Sequence, residues 1–240
     1  MAQSVTNKPN YMTKLLNHFY SVAVFIAIAA AAWATPSTNG TILMEYREKD
    51  ITFGDISSRQ GAVYALADLY VFNSFHFGAS VANNLSLKNS SLYQTDLLAG
   101  YKFFSALADV EFGAVQIFQG KPALQDMGQR FRPFVAISRG IITLTGRMDL
   151  EAETTNAQID VTKTISLGRG FAYKVSGYTG YTDVNNSLPR SVKELKYTNF
   201  YYGGDLGLEW KVLNAGIYVL HSGHTNDTTF GWRTGMVLKF

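Results

Sequence analysis

The chain has 240 residues and a formal net charge of +3, from 21 lysines and arginines against 18 acids. It has no cysteine, which excludes a disulfide framework, thiolate-held zinc or iron–sulfur, and a thiol nucleophile. Charged residues are 16 % and aromatics 14 %; an average soluble domain carries about 25 % charge. That balance excludes disorder and a general nucleic-acid binder, and it suits strands better than helices.

Residues 21–34 form a short apolar run, preceded by Lys8 and Lys14 and ending Ala32-Trp33-Ala34. A charged lead, a short apolar stretch and a small-x-small ending predict a cleavable signal peptide over 1–34. A second start at Met12 would leave the same pattern. The alternative is an uncleaved anchor, but the run falls short of the about 20 residues that a spanning helix needs. Beyond residue 34 no apolar run is long enough to cross a bilayer as a helix.

From there on the chain alternates with period two, as strands do. Alternation predicts strands over 41–48, 61–72, 75–83, 94–103, 107–117, 129–138, 141–150, 156–166, 171–181, 197–210, 214–221 and 228–240, about twelve in all. The last is the clearest: Phe230, Trp232, Thr234, Met236, Leu238 and Phe240 share one face, and Gly231, Arg233, Val237 and Lys239 the other. Connections alternate in length. Long polar stretches at 49–60, 84–93, 118–128 and 182–196 are interleaved with short ones such as Asn73-Ser74 and Arg139-Gly140. Long loops on one side and tight turns on the other are the asymmetry of a transmembrane barrel, and an even strand count puts both termini in the periplasm.

A closed all-β antiparallel barrel over 35–240, as one domain, follows from these signals, since twelve open-edged strands would aggregate. The polar face of the strands carries Asp96, Lys102, Asp109, Glu111, Arg130, Arg132, Arg147 and Arg233. In a dry soluble core those charges would be very costly, whereas a wet lumen accepts them. The apolar face must therefore point outward, into lipid.

The signal peptide, the amphipathic strands and the ending Trp232-x-Thr234-x-Met236-x-Leu238-x-Phe240 resemble a Gram-negative outer-membrane β-barrel of the porin-like kind. The resemblance implies a location in the bacterial outer membrane. It also implies reading of the strand ending at Phe240 by the barrel-insertion machinery. Tyr46-Arg47, Gly54-Asp55-Ile56-Ser57 and Gln60-Gly61 are similar to an opening pattern of an uncharacterised proteobacterial porin-like family of about this size. That family brings no established substrate.

Some outer-membrane barrels are lipid hydrolases with a His and a Ser together near the outer rim. His221, Ser222, His224 and Asp227 invite that comparison. His221 and Ser222 are adjacent, however, so they face opposite ways in a strand, and the spacing argues for an ordinary polar loop. A zinc site at His221, His224 and Asp227 is disfavoured for the same want of geometry. His76 stands alone on its strand and reads as a lumen-facing polar residue.

The charges of the polar face are the constellation left. Such charges either pair as cross-strand salt bridges that fill the barrel or line a pore; the second reading predicts a narrow, mixed-charge lumen that passes small hydrophilic solutes by steric and electrostatic filtering, with no chemical step, no metal and no cofactor. Arg130, Arg132, Arg147, Asp109 and Glu111 are expected to line it first, then Lys102, Asp96 and Arg233. The alternatives are a lipid hydrolase and a structural or adhesive barrel that binds partners through its external loops.

Overall fold

The computed structural model describes residues 38–48, 50–52, 55–58, 61–84, 93–120, 129–151, 153–186 and 195–240. The signal segment 1–34 lies outside them, as do the centres of the loops expected at 84–93, 118–128 and 182–196.

The strands are β1 (Thr38–Arg47), β2 (Asp50–Thr52), β3 (Asp55–Ser58), β4 (Ala62–Val71), β5 (Phe75–Asn84), β6 (Tyr93–Phe103), β7 (Asp109–Gly120), β8 (Gln129–Arg139), β9 (Ile142–Asp149), β10 (Thr154–Gly168), β11 (Phe171–Asn186), β12 (Leu195–Trp210), β13 (Leu213–Ser222) and β14 (Asp227–Lys239). All except β2 and β3 form one closed antiparallel barrel, each strand hydrogen-bonded to the next in sequence and β1 to β14. Twelve barrel strands are thus present, as the alternation predicts.

Two differences from the sequence reading stand out. The connection read as a plain polar loop at 49–60 contains the small hairpin β2–β3. Strands of three and four residues are too short for a period to show. At the long-loop end, β11 and β12 run on past residue 181, pairing Thr182 with Asn199 and Asn186 with Leu195. These polar residues complete a backbone ladder that hydropathy alternation does not register.

The alternation sets the two faces. Outward go apolar side chains such as Phe77, Phe112, Leu144, Leu206, Ile217 and Trp232, all exposed. A closed barrel with such an exterior and charges within spans a bilayer by its strands, because no water-facing sheet leaves that much apolar surface uncovered. Following the strand pairing round the barrel brings the ladder back to β1 about 16 residues along, which for twelve strands means a tilt of about 45°. The tilt opens an interior wide enough to hold more than packed side chains.

Short turns close one end. Phe72 and Asn73 in the three-residue turn before β5, and Arg169 and Gly170 in the two-residue turn before β11, take positive φ, as tight hairpin turns between right-twisted strands require. At the seam, Gly40 and Phe240 exchange backbone hydrogen bonds of 2.9 and 3.1 Å. The chain's aromatic C-terminal residue is thereby tied to the beginning of β1.

Candidate functional site

The inward face of every barrel strand lines the lumen, and the charges on it form three clusters. The first lies on β8 and β9. Arg130 and Arg132 both donate to Oδ2 of Asp149, at 3.3 and 3.0 Å. Asp149 is only 2 % exposed, so two guanidinium groups hold one buried carboxylate. Asp96, on β6, accepts from the Gln94 amide at 2.9 Å and from the Ser80 hydroxyl at 3.5 Å, within the field of Arg132 and Arg130.

The second cluster spans β4, β5 and β7. The Nδ1 atom of His76 lies 2.5 Å from Oε1 of Glu111, and its Nε2 lies 3.4 Å from Oδ1 of Asp68. The Tyr70 ring stacks on the imidazole with centroids 4.2 Å apart, and its hydroxyl donates to Glu111 at 3.4 Å. Two glycines make room for this reach. A Cβ at Gly78 would come within 2.7 Å of Oδ1 of Asp68, and one at Gly100, on the strand between His76 and Glu111, would meet Oε1 of Glu111 at 3.5 Å.

The third cluster joins β12, β14 and β1. Arg233 makes two hydrogen bonds to Asp205, at 2.9 and 2.7 Å, and a third to Glu45 at 3.3 Å. Glu45 also pairs with Arg47, whose guanidinium lies 4.3 Å above the Tyr64 ring. Arg233 reaches Asp205 across Gly216, where a Cβ would sit 3.2 Å from its Nε. Bidentate guanidinium–carboxylate geometry is the strongest form of such a contact.

Each of the charges expected to line the lumen lies on the inward face. Asp109 and Glu111 do not face Arg130 and Arg132. Asp109 pairs with Lys102 on β6 at 3.2 Å, and Glu111 is engaged by His76. Arg147, on β9, faces the field of Asp160 and Tyr201. His76, isolated along its own strand, sits at the centre of a cluster, because a barrel brings together residues three strands apart. Asp149, Asp205 and Glu45 were not singled out as site residues. Their signal was their parity: each falls on the polar face of its strand.

Two adjoining cavities occupy the lumen. One, of about 610 Å³, is lined from every barrel strand except β7 and includes Glu45, Asp96, Arg132, Arg147, Asp205 and Arg233. The other, of about 390 Å³, includes Asp68, His76 and Glu111. They share Tyr64, Ser80, Asp96, Arg132 and Arg147. The space is charged in both signs around its circumference.

The outer-rim residues do not make a hydrolytic site. The Ser222 hydroxyl donates to Oδ1 of Asn199 at 3.2 Å, and that oxygen also accepts the His224 backbone N–H at 3.0 Å. The His224 ring stacks on Tyr197. His221 points the other way, stacked on Tyr202 and hydrogen-bonded to Thr228. Nucleophilic catalysis needs a base aimed at the serine, and here the serine hydroxyl is spent on an amide.

No family model and no curated protein sequence matches the chain. Among solved structures it is similar to the KdgM porin, with a TM-score of 0.57 at 12 % identity, covering 84 % of this chain and 99 % of that one. It is similar also to a KdgM porin in complex with disordered oligogalacturonate, with a TM-score of 0.56, 12 % identity and the same coverage. The Acinetobacter baumannii outer membrane protein Omp33 aligns over 85 % of this chain and 97 % of its own, at 11 % identity and a TM-score of 0.40. The chain thus shares with the KdgM porin the fold of a closed antiparallel β-barrel.

Proposed function

We propose that the protein is a passive diffusion channel of the outer membrane for small hydrophilic solutes. The observation that carries this reading is the cavity of about 610 Å³, ringed by charges from eight of the twelve strands inside an apolar-faced barrel. Such a lumen sorts solutes by size and by the field of its fixed charges, and no bond is made or broken. Arg130, Arg132, Arg147, Asp96, Glu111 and Arg233 form its wall, with Lys102 and Asp109 beside them. A similar structure, the KdgM porin, has been solved with an oligogalacturonate; for this chain the proposal is the broader class, small hydrophilic molecules. Residues 1–34 direct export, and the strand ending at Phe240 is the segment that the insertion machinery reads.

The test is single-channel recording of the refolded chain, from Thr35 onward, in a planar bilayer. Discrete, salt-dependent current steps are expected. A folded, heat-modifiable barrel that passes no current would overturn the channel.

A further inference from the structure

We propose that His76 sets the charge selectivity of this channel, by acting as a cation clamped between Asp68 and Glu111 on the lumen wall. The inference rests on the channel reading above and adds the residue that tunes it.

The wall made by β4 to β7 is rich in acid. Asp68, Asp96, Asp109 and Glu111 face the lumen from it, against one lysine, Lys102. Lys102 is paired to Asp109, and Asp96 is answered from the next strand by Arg132 and Arg130. Asp68 and Glu111 remain, and the group between them is His76. Every ionisable neighbour of the ring belongs to this set: Asp68 and Tyr70 from β4, and Glu111 from β7, with the Lys102–Asp109 pair beyond on β6 and β7.

The geometry asks for a charged ring. A neutral imidazole has one N–H and one acceptor nitrogen, so it satisfies one carboxylate and repels the other. The imidazolium offers an N–H at each edge, and here a carboxylate oxygen stands opposite each nitrogen. Stacking on Tyr70 fixes the ring plane so that both edges stay aimed. The imidazole is 7 % exposed while Asp68 still meets the lumen, so the ring acts through its carboxylates rather than by touching a solute. With the ring charged, the cluster carries one net negative charge; with the ring neutral or removed it carries two, beside the cavity of about 390 Å³. A fixed anionic pair in a narrow pore concentrates cations.

The experiment measures reversal potential in a potassium chloride gradient, with heat-modifiable migration as the check on folding. His76→Asn is expected to raise the potassium-to-chloride permeability ratio about threefold over the natural protein. His76→Asn combined with Glu111→Gln is expected to bring the ratio back. Should His76→Asn not fold, Asp68→Asn with Glu111→Gln, keeping the histidine, must shift the ratio toward chloride. A folded His76→Asn barrel with an unchanged ratio would overturn the assignment, and so would a shift that Glu111→Gln does not reverse. Absence of current in the natural protein would overturn the channel itself and this inference with it.

Discussion

Two walls of the same lumen solve one electrostatic problem with opposite signs. On β8 and β9 a buried carboxylate, Asp149, sits between two cations, Arg130 and Arg132. On β4 to β7 a buried ring, His76, sits between two carboxylates, Asp68 and Glu111. In each case one central charge prevents two like charges from repelling across a confined space. The difference lies in the chemistry of the central group. On one wall an anion holds two cations together; on the other a ring cation holds two anions, with one N–H at each edge. Each triad leaves one net charge, positive on the first wall and negative on the second.

That contrast can be broken. The largest effect is expected from Asp149→Ala, which leaves two guanidinium groups without their shared carboxylate. It should cost about 3 kcal/mol or more of barrel stability, read from urea unfolding in detergent or lipid, and should move selectivity toward anions. Next comes reversal of the arginine wall. Arg130→Glu together with Arg132→Glu should carry the permeability ratio toward cations by about tenfold, measured as reversal potential on barrels shown to be folded. An unchanged ratio would mean that solutes do not pass that wall. The smallest effect is expected from Gly100→Val. Its side chain would intrude between His76 and Glu111, loosening the clamp and shifting the ratio toward cations by about twofold, with conductance slightly lowered. If Gly100→Val left the ratio where it was, the clamp would not depend on the gap over β6.

The contrast also marks what could be read from the amino-acid sequence. Alternation located all the barrel strands, because a lipid-facing side chain and a lumen-facing one differ sharply in polarity at every second position. Phe230 to Phe240 show this without interruption, and β14 runs from Asp227 to Lys239. The same parity places every predicted lumen charge on the inner face. What alternation lacks is height. Which charge meets which depends on register and on tilt, and it depends on whether the residue between them has a side chain. His76 and Glu111 are 35 residues apart and lie on strands with another between them. They meet across position 100 on that intervening strand, a glycine, where a Cβ would lie 3.5 Å from Oε1 of Glu111. Arg233 meets Asp205 across Gly216 in the same manner. A glycine on the polar face of a strand was therefore as informative as the charges themselves, once the neighbouring strand was known. The external loops offered nothing comparable: their polar residues carry no period, and β2–β3 is too short to impose one.

The seam between β1 and β14 has a consequence for how the molecule comes into being. Seven residues of β1, from Thr41 to Arg47, pair with β14, and the Gly40–Phe240 exchange lies at the edge of that seam. The two strands are the most distant of the barrel in the chain, so the ring cannot close until β14 has been made. Every preceding hairpin can form from near neighbours, but until β14 arrives each intermediate has two raw edges and an apolar flank. The entropy of joining ends so far apart grows only slowly with separation, by about 0.6 kcal/mol per doubling; the hazard is the waiting time. The pairing of β14 with β1 is what turns a sheet with two open edges into an edgeless barrel.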